Sequence, residues 1–242
     1  MKYALEHITT QGINRGAAML GFKYETHFHT DETSPCGKVK AEDAVRIYHQ
    51  AGYTGLVVTD HYFNGFFEMH PFINWDKKID LFLEGYRSAL NEGRKLGMDI
   101  HLGMEIRFNE NANDYLVYGI HEDLLRNHKK LYKLSLKEFR ELTAGTGIVI
   151  VQAHPFRAHM VPAPPALIDG VEVFNGNPRH QSSNHLAEQY ARDHGLKMLS
   201  GSDFHQPQDA ARGGIVVRER IKPGCFADTI REDGILELIR TE

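Results

Sequence analysis

The chain has 242 residues, a formal net charge of -4 and 41% hydrophobic residues, which are ordinary values for a globular protein with one large core. The lack of a strongly basic balance disfavours a protein that wraps long duplex nucleic acid, because such proteins meet the phosphates with a basic face. No apolar stretch approaches the roughly 20 residues of a membrane-spanning helix. Only Cys36 and Cys225 occur, which is no disulfide framework, so we expect a soluble cytoplasmic protein without a membrane partner.

Apolar segments of strand length alternate along the chain with longer segments of helical periodicity. The predicted strands are 24–28, 55–59, 98–104, 115–120, 148–152, 170–174, 197–200 and 214–217, and the predicted helices are 41–51, 76–96, 135–144 and 183–194. Several strands are continuously apolar and β-branched, as in GLVV and GIVIV, which is typical of strands covered on both faces. Repeated strand–helix units of this kind indicate a parallel α/β sheet, either closed or doubly wound.

No linker rich in Pro, Gly or Ser divides the chain, so we expect one domain over residues 1–242. Segments 63–75 and 155–165 are predicted to be loops, and the first of them either covers a pocket or packs on the exterior. Residues 206–242 are expected to add a strand and a helix that pack on the main body.

Polar side chains follow six of the predicted strands at the point where each strand ends. His27 and His29 lie two apart on the first strand, so their side chains point to the same side and can share one metal ion. The other five ends supply Asp60 with His61, Glu105, His121, His154, and Asp203 with His205. Because the carboxyl ends of parallel strands share one face of the fold, we expect all these groups to converge.

Each of these residues has an ordinary explanation when it is taken alone. His61, His121 and His154 are each compatible with a hydrogen-bonded structural histidine, Glu105 with an ion-pair partner and Asp203 with a helix cap. Together they would bury several carboxylates and imidazoles in one cleft, which is costly unless divalent cations compensate. Mixed nitrogen and oxygen donors suit Zn, Mn or Fe better than Ca or Mg, so we predict two or three such ions as cofactors.

The ordered series HFHT, TDH, GMEIRF, GIHED, AHPF and GSDFH, from about residue 24 to residue 205, resembles the polymerase and histidinol phosphatase (PHP) superfamily. The resemblance implies a distorted, TIM-like (β/α)7 barrel with a di- or trinuclear metal cluster at its C-terminal rim. It further implies one metal on His27, His29, Glu105 and Asp203, a second on Glu105, His121 and His154, and a third on His61 and His205.

The sequence departs from the family pattern at the third metal. Trinuclear relatives carry a further His several residues after the HxH motif, whereas this chain has DETSPCGK there. Cys36 is the soft ligand available in that stretch, with Asp31 and Glu32 as alternatives, and the competing interpretation of Cys36 is a small buried residue.

The motifs predict a metal-dependent phosphoesterase that hydrolyses a small phosphorylated metabolite or nucleotide through a metal-activated water. Arg107, Arg157 and Arg212 follow three of the motifs and are candidates for binding phosphate oxygens, although each is equally compatible with a surface ion pair. Asp60 is expected to orient a ligand or accept a proton, and His205 (or His61) to protonate the leaving group if the third metal is absent.

Three other functions compete with this one. A nuclease would act on the ends of nucleic acids, and a non-catalytic protein would bind metal for regulation. A metal-dependent amidohydrolase would use a related barrel, but it typically has a bridging carboxylated Lys where this chain has Glu105. The sequence specifies neither the substrate, nor the metal, nor the oligomeric state.

Overall fold

The structure is a computed structural model, and it describes residues 21–241. The strands are β1 (Phe22–Phe28), β2 (Gly55–Val58), β3 (His61–Tyr62), β4 (Asp99–Arg107), β5 (Asp114–Tyr118), β6 (Val149–Gln152), β7 (Gly170–Asn175), β8 (Lys197–Gly201), β9 (Gly213–Val217) and β10 (Ile235–Arg240). The helices are α1 (Ala41–Gln50), α2 (Asn64–Glu68), α3 (Trp75–Phe82), α4 (Glu84–Leu96), α5 (Glu122–Asn127), α6 (Leu136–Leu142), α7 (Asn184–His194) and α8 (Phe226–Arg231), with short 3-10 turns at Leu131–Lys133, Pro165–Leu167 and Pro207–Asp209.

The strands form one sheet in the order β10-β9-β1-β2-β4-β5-β6-β7-β8, with β3 beside β4. β8, the last strand in this order, lies close to β1. The hydroxyl of Thr26 donates to the carbonyl of Ser200 at 2.7 Å, and a parallel bridge joins Phe28 to Phe204. The sheet is therefore a nearly closed, distorted TIM-like barrel in a single compact domain, as predicted, with β1, β2 and β4 to β8 as its wall.

The direction of β5 differs from the sequence prediction. β5 runs antiparallel to both of its neighbours, β4 and β6, whereas the other neighbouring pairs of the wall are parallel. The reason is the connection between β4 and β5, which consists of residues 108–113. A parallel crossover needs a dozen or more residues, so this short connection forces a hairpin. The end of β5 therefore lies at the opposite end of the barrel from the ends of its neighbours.

The helices cover the sheet through apolar faces, and their ends follow the local sequence. α4 ends at Gly97, which adopts the left-handed conformation with φ 70° that favours glycine at a helix C-terminus. α6 begins with the predicted capping box, in which Ser135 and Glu138 each accept a hydrogen bond from the backbone of the other.

The aromatic segment 63–75, predicted as a loop, contains α2 and contributes to the core. Phe66, Phe67 and Trp75 are buried, and the rings of Phe67 and Trp75 stack with centroids 4.9 Å apart. Its prediction as a loop was therefore wrong for α2, because these large side chains bury more apolar surface in the core than they would in a solvated loop. Phe72, in contrast, is 97% exposed.

The final segment extends the sheet. β9 pairs antiparallel with β1, and β10 pairs antiparallel with β9, while α8 buries Phe226 and Ile230 against the barrel. Across the described range, no helix has the length and apolar character needed to cross a membrane.

One histidine lies in the core away from the strand ends of the predicted site. His101 on β4 is 4% exposed and lies between Tyr24 and Phe226, with ring centroids 5.9 and 5.5 Å away. Burial lowers the pKa of His101 to about 4, because the charged imidazolium would lose its hydration.

We expect His101 to make folding stability depend on pH. A histidine with a lowered pKa binds fewer protons when folded than when unfolded, so stability is lost as pH falls from about 6.5 towards 4. The loss attributable to this residue reaches about 2 kcal/mol at pH 5. In His101→Phe this part of the pH dependence should disappear, as measured by urea denaturation of the metal-free protein at pH 7 and pH 5. The exposed His49, changed to Gln, is the control, and an unaltered pH dependence in His101→Phe would contradict the assignment.

Candidate metal centre

Glu105 lies at the centre of a buried cluster at one end of the barrel and is 1% exposed. Its Oε1 lies 3.3 Å from Nε2 of His27 and 3.2 Å from Nε2 of His154. Its Oε2 lies 2.7 Å from Nδ1 of His61 and 3.4 Å from Nε2 of His29. Burial alone would raise the pKa of Glu105, but His61 and His27 hold it well below its usual value. One carboxylate is therefore shared by four imidazoles.

Backbone pairing brings these groups together. β3 and β4 are in register so that His61 lies directly beside Glu105. The loop after β8 is joined to the end of β1 by two hydrogen bonds, from the amide of His29 to the carbonyl of Phe204 at 3.0 Å and from the amide of Phe204 to the carbonyl of His27 at 3.1 Å. These bonds place Asp203 next to both histidines, with its Oδ1 3.4 Å from Nε2 of His27 and 3.6 Å from Nε2 of His29.

Several buried imidazole nitrogens of the cluster have no hydrogen bond in the part of the chain that the structure describes. Nε2 of His27, Nε2 of His29 and Nδ1 of His154 are buried and make no hydrogen bond within residues 21–241. Unpaired buried polar atoms are costly, and a cation would satisfy those that face the cluster. Four overlapping sets of three side chains have ligand atoms within 4.8 Å of one another: His27/His29/Glu105, His27/His154/Asp203, Glu105/Asp114/His154 and His29/His61/His205. The donor set therefore fits divalent metal ions.

Most of the residues predicted as metal ligands meet here, but His121 does not. It precedes α5, where its Nδ1 accepts a hydrogen bond from the amide of Leu124 at 3.3 Å, and it lines a cavity together with His101. The prediction for His121 was wrong because β5 is antiparallel, which carries its C-terminal end away from the other strand ends.

Asp114 occupies the place that was expected for His121. It is the first residue of β5, so the antiparallel direction that removes His121 brings Asp114 to Glu105 and His154. Arg107 pairs with it across the two strands through hydrogen bonds of 2.7 and 2.6 Å. Burial and the nearby Glu105 raise the pKa of Asp114. The short connection between β4 and β5 is the sequence signal that could have identified this residue.

Glu172 on β7 was also missed by the sequence analysis. Its Oε1 lies 2.8 Å from Nδ1 of His27, and its Oε2 accepts hydrogen bonds from the amide of His154 at 3.0 Å and the side-chain amide of Asn175 at 2.9 Å. A proton on Nδ1 of His27 satisfies Glu172 and leaves Nε2 as an acceptor facing the cluster. Burial lowers the pKa of His27, but Glu172 and the neighbouring carboxylates raise it well above its ordinary value.

Asp60 supports His29 through a serine. It accepts hydrogen bonds from the amide and hydroxyl of Thr30, both at 2.8 Å, and from the hydroxyl of Ser34 at 2.7 Å. The Ser34 oxygen lies 3.2 Å from Nδ1 of His29, so it can accept the proton there and leave Nε2 free. Burial raises the pKa of Asp60 to about 6. Asp60 itself belongs to none of the donor sets found in residues 21–241.

The position predicted for a third metal contains His61 and His205, which form a donor set with His29, whereas Cys36 belongs to none of the sets found in residues 21–241. Sγ of Cys36 lies 3.1 Å from Nε2 of His205, whose Nδ1 lies 2.9 Å from the carbonyl of Asp203. Burial would raise the pKa of the Cys36 thiol, but hydrogen bonding to His205 and His61 lowers it to about 6. Cys36 is exposed, so its interpretation as a small buried residue was wrong. Glu32 is engaged elsewhere, because it accepts the amide of Ala41 at the start of α1.

The three predicted arginines lie in different environments. Arg107 is half exposed and lines a cleft of about 200 Å³ together with Pro35, Cys36, His61, Phe63 and Asp114. Arg157 is 16% exposed and holds Asp203 at 2.8 Å. Arg212 donates through Nε to the carbonyl of Gly176 at 2.9 Å. Of the three, Arg107 is the one that lines this cleft.

No protein-family model matches the sequence, and no curated protein matches it either. Among solved structures, a two-domain protein from Bacteroides vulgatus that contains a predicted PHP-like metal-dependent phosphoesterase aligns with a TM-score of 0.58 at 20% identity, over 88% of this chain and 62% of that one. A candidate metal-dependent phosphoesterase from Bifidobacterium adolescentis aligns with a TM-score of 0.50 at 17% identity, over 76% and 88% of the two chains. An amidohydrolase from Chromobacterium violaceum, with bound sulfate and no metal, aligns with a TM-score of 0.53 at 16% identity, over 88% and 97%.

These structures share their fold with this chain, and the likeness to PHP-like proteins that the motifs indicated is confirmed at the level of fold. The chain spans 62% of the length of the Bacteroides protein.

We expect Glu172→Gln to weaken metal binding about 10- to 100-fold, the usual effect of removing a carboxylate that orients a histidine ligand. Glutamine has a single acceptor oxygen, so it cannot accept from Nδ1 of His27 and, at the other position, from the amides of His154 and Asn175 at the same time. Competition between the protein and a chromogenic zinc chelator measures the change. Glu237→Gln, on exposed β10, is the matched control, and equal zinc affinity in Glu172→Gln and wild type would contradict the role of Glu172.

We expect Asp114→Asn to lower the affinity for one metal ion at least about tenfold, whereas His121→Asn should leave metal binding unchanged. Asparagine at 121 can still cap α5, so the second variant preserves the local structure. Metal content per chain, measured by mass spectrometry after dialysis against limiting Zn²⁺ or Mn²⁺, distinguishes the two positions. The reverse result, loss of metal in His121→Asn alone, would restore the original assignment of His121.

Proposed function

We propose that the protein is a metal-dependent phosphoesterase that hydrolyses a small phosphorylated metabolite or nucleotide at a di- or trinuclear metal centre. The observation that supports this most directly is the buried cluster around Glu105, in which the Nε2 atoms of His27 and His29 make no hydrogen bond within the described chain. Divalent cations bound there would lower the pKa of water and neutralise charge on phosphate oxygens.

The donor types favour Zn, Mn or Fe as the cofactor. Each of the four donor sets found in residues 21–241 contains imidazole, three of them contain a carboxylate, and the thiol of Cys36 lies beside His205. Imidazole and thiolate suit these transition metals, whereas Mg and Ca prefer oxygen ligands. Two free cysteines in the described chain also fit a reducing compartment, and we place the enzyme in the cytoplasm on that ground.

The cleft beside the cluster favours a small substrate. Its volume of about 200 Å³ is below the roughly 300 Å³ at which sites for drug-sized ligands begin. Phe63 offers an apolar wall, and Arg107 offers a guanidinium that is 45% exposed while it holds Asp114. Such a guanidinium can bind phosphate oxygens. A phosphomonoester with a small organic group fits this combination better than the end of a nucleic-acid duplex.

The remaining residues with assigned roles support the chemistry in different ways. His61 lines the cleft and His205 lies beside Cys36, so either can give a proton to the leaving oxygen when it does not hold a metal. Asp60 acts as a positioning residue through Ser34 and His29. Arg157 orients Asp203.

An amidohydrolase is the second candidate, because one protein with this fold carries that description. Divalent cations bound in the cluster, together with Arg107, would suit a substrate with two negative charges, which favours a phosphate ester over an amide. Nuclease activity fits the narrow cleft less well, and the net charge of -4 offers little attraction for a polyanion.

The test is hydrolysis by protein loaded with Mn²⁺ or Zn²⁺. We expect turnover of p-nitrophenyl phosphate and of small phosphorylated metabolites, abolished by EDTA and restored by metal. Glu105→Gln should lower kcat by more than about 100-fold, because removal of a residue that only supports a ligand already costs up to that much. Glu237→Gln should retain full activity.

Parallel assays with p-nitroacetanilide and with short oligonucleotides separate the alternatives. Turnover of the amide without turnover of any phosphate ester would favour the amidohydrolase. Failure of all phosphate esters with every divalent metal would contradict the proposal.

A further inference from the structure

A second cavity, of about 500 Å³, lies at the end of the barrel opposite the metal centre. His101 belongs to its lining and precedes Glu105 by four residues on β4, which separates the two positions by roughly 13 Å along the strand. Tyr86, Leu90 and Arg94 line another side, and their spacing of four places them on one face of α4. The volume lies within the range of small-molecule sites.

Two aromatic rings form one wall of the cavity. The side chain of His101 is 4% exposed, both of its ring nitrogens are buried, and its ring centroid lies 5.5 Å from that of Phe226. A planar apolar group can pack against such a wall, because aromatic rings favour offset and edge-to-face contacts.

The charges around the cavity favour an anion. Asp99 is neutralised by Arg220 through hydrogen bonds of 2.8 and 3.0 Å. Glu122 is paired with Arg126 at 3.2 Å. Arg94, in contrast, makes no ion pair or hydrogen bond to any residue the structure describes. The carboxylates in the lining are therefore compensated, while within residues 21–241 the guanidinium of Arg94 has no anionic partner.

A metal ion is disfavoured at this end. No set of three donors with ligand atoms within 4.8 Å of one another, among residues 21–241, includes His101 or His121. The apolar side chains Tyr86, Leu90 and Phe226 also suit an organic ligand. We propose that this cavity binds a small organic anion, with its charged group at Arg94 and its planar apolar body against the rings of Phe226 and His101. This inference is independent of the proposed hydrolase activity.

Isothermal titration of the metal-loaded full chain with 2-naphthoate tests the proposal. We expect saturable binding that is at least about tenfold weaker in Arg94→Met, because the variant lacks the guanidinium that would bind the carboxylate of the ligand. The neighbouring Lys95, which is paired with Glu92 and lies outside the lining, provides the matched control Lys95→Met, with unchanged affinity. The neutral analogue 2-naphthylmethanol should bind wild type at least about tenfold more weakly than the acid.

A further variant, Glu105→Gln, distinguishes binding in this cavity from binding at the metal centre. Glu105→Gln should bind 2-naphthoate as wild type does. Loss of binding in Glu105→Gln with retention in Arg94→Met would place the ligand at the metal centre and overturn the proposal. Absence of saturable binding, or equal affinity for the acid and the neutral analogue, would overturn it as well.

Discussion

A carboxylate removed from water must have its charge balanced, and Glu105 is such a carboxylate. The surrounding strands must therefore supply groups that carry or bind positive charge. Without cations the neighbouring histidines have to carry the balancing protons, which is why the pKa of His27 is raised well above its ordinary value although burial lowers it. His29 cannot contribute equally, because burial and the adjacent His205 and His61 lower its pKa. Metal ions would replace these protons, so metal binding and proton release are one process in such a cluster.

The surrounding hydrogen bonds prepare the cluster for that exchange. Nδ1 of His27 faces Glu172 from β7, and Nδ1 of His29 faces Ser34, which Asp60 holds from the end of β2. Two separate supports thus leave the same nitrogen, Nε2, free on both rings. The tautomer of His27 therefore depends on the closure of the barrel, which brings β7 close to β1, whereas that of His29 depends on the pairing of β1 with β2.

The sequence was sufficient for the parts of the site that depend on local spacing. His27 and His29 share a side because strands alternate, and the loop that carries Asp203 follows a strand parallel to its neighbour β7. The direction of β5 depended instead on the length of one connection, so His121 was placed at the wrong end and Asp114 was overlooked. Glu172 was overlooked because it lies inside the predicted strand 170–174, whereas candidate ligands were sought at the strand ends. A charge inside such a strand has to be paired, and that physical requirement was the available signal.

The backbone at two strand ends shows how strongly the cluster is constrained. His154 and Asp203 have φ of 30° and 52°, which non-glycine residues seldom adopt and which costs about 1–3 kcal/mol each. The structure compensates at the same residues. The amide of His154 donates to Glu172 at 3.0 Å, and the carbonyl of Asp203 accepts from Asn177 at 2.9 Å. Glu172 therefore both orients His27 and holds the strained turn at His154. Through this double role Glu172 holds two candidate ligands, His27 on β1 and His154 after β6, in one geometry, although the strands of the barrel do not all run in the same direction.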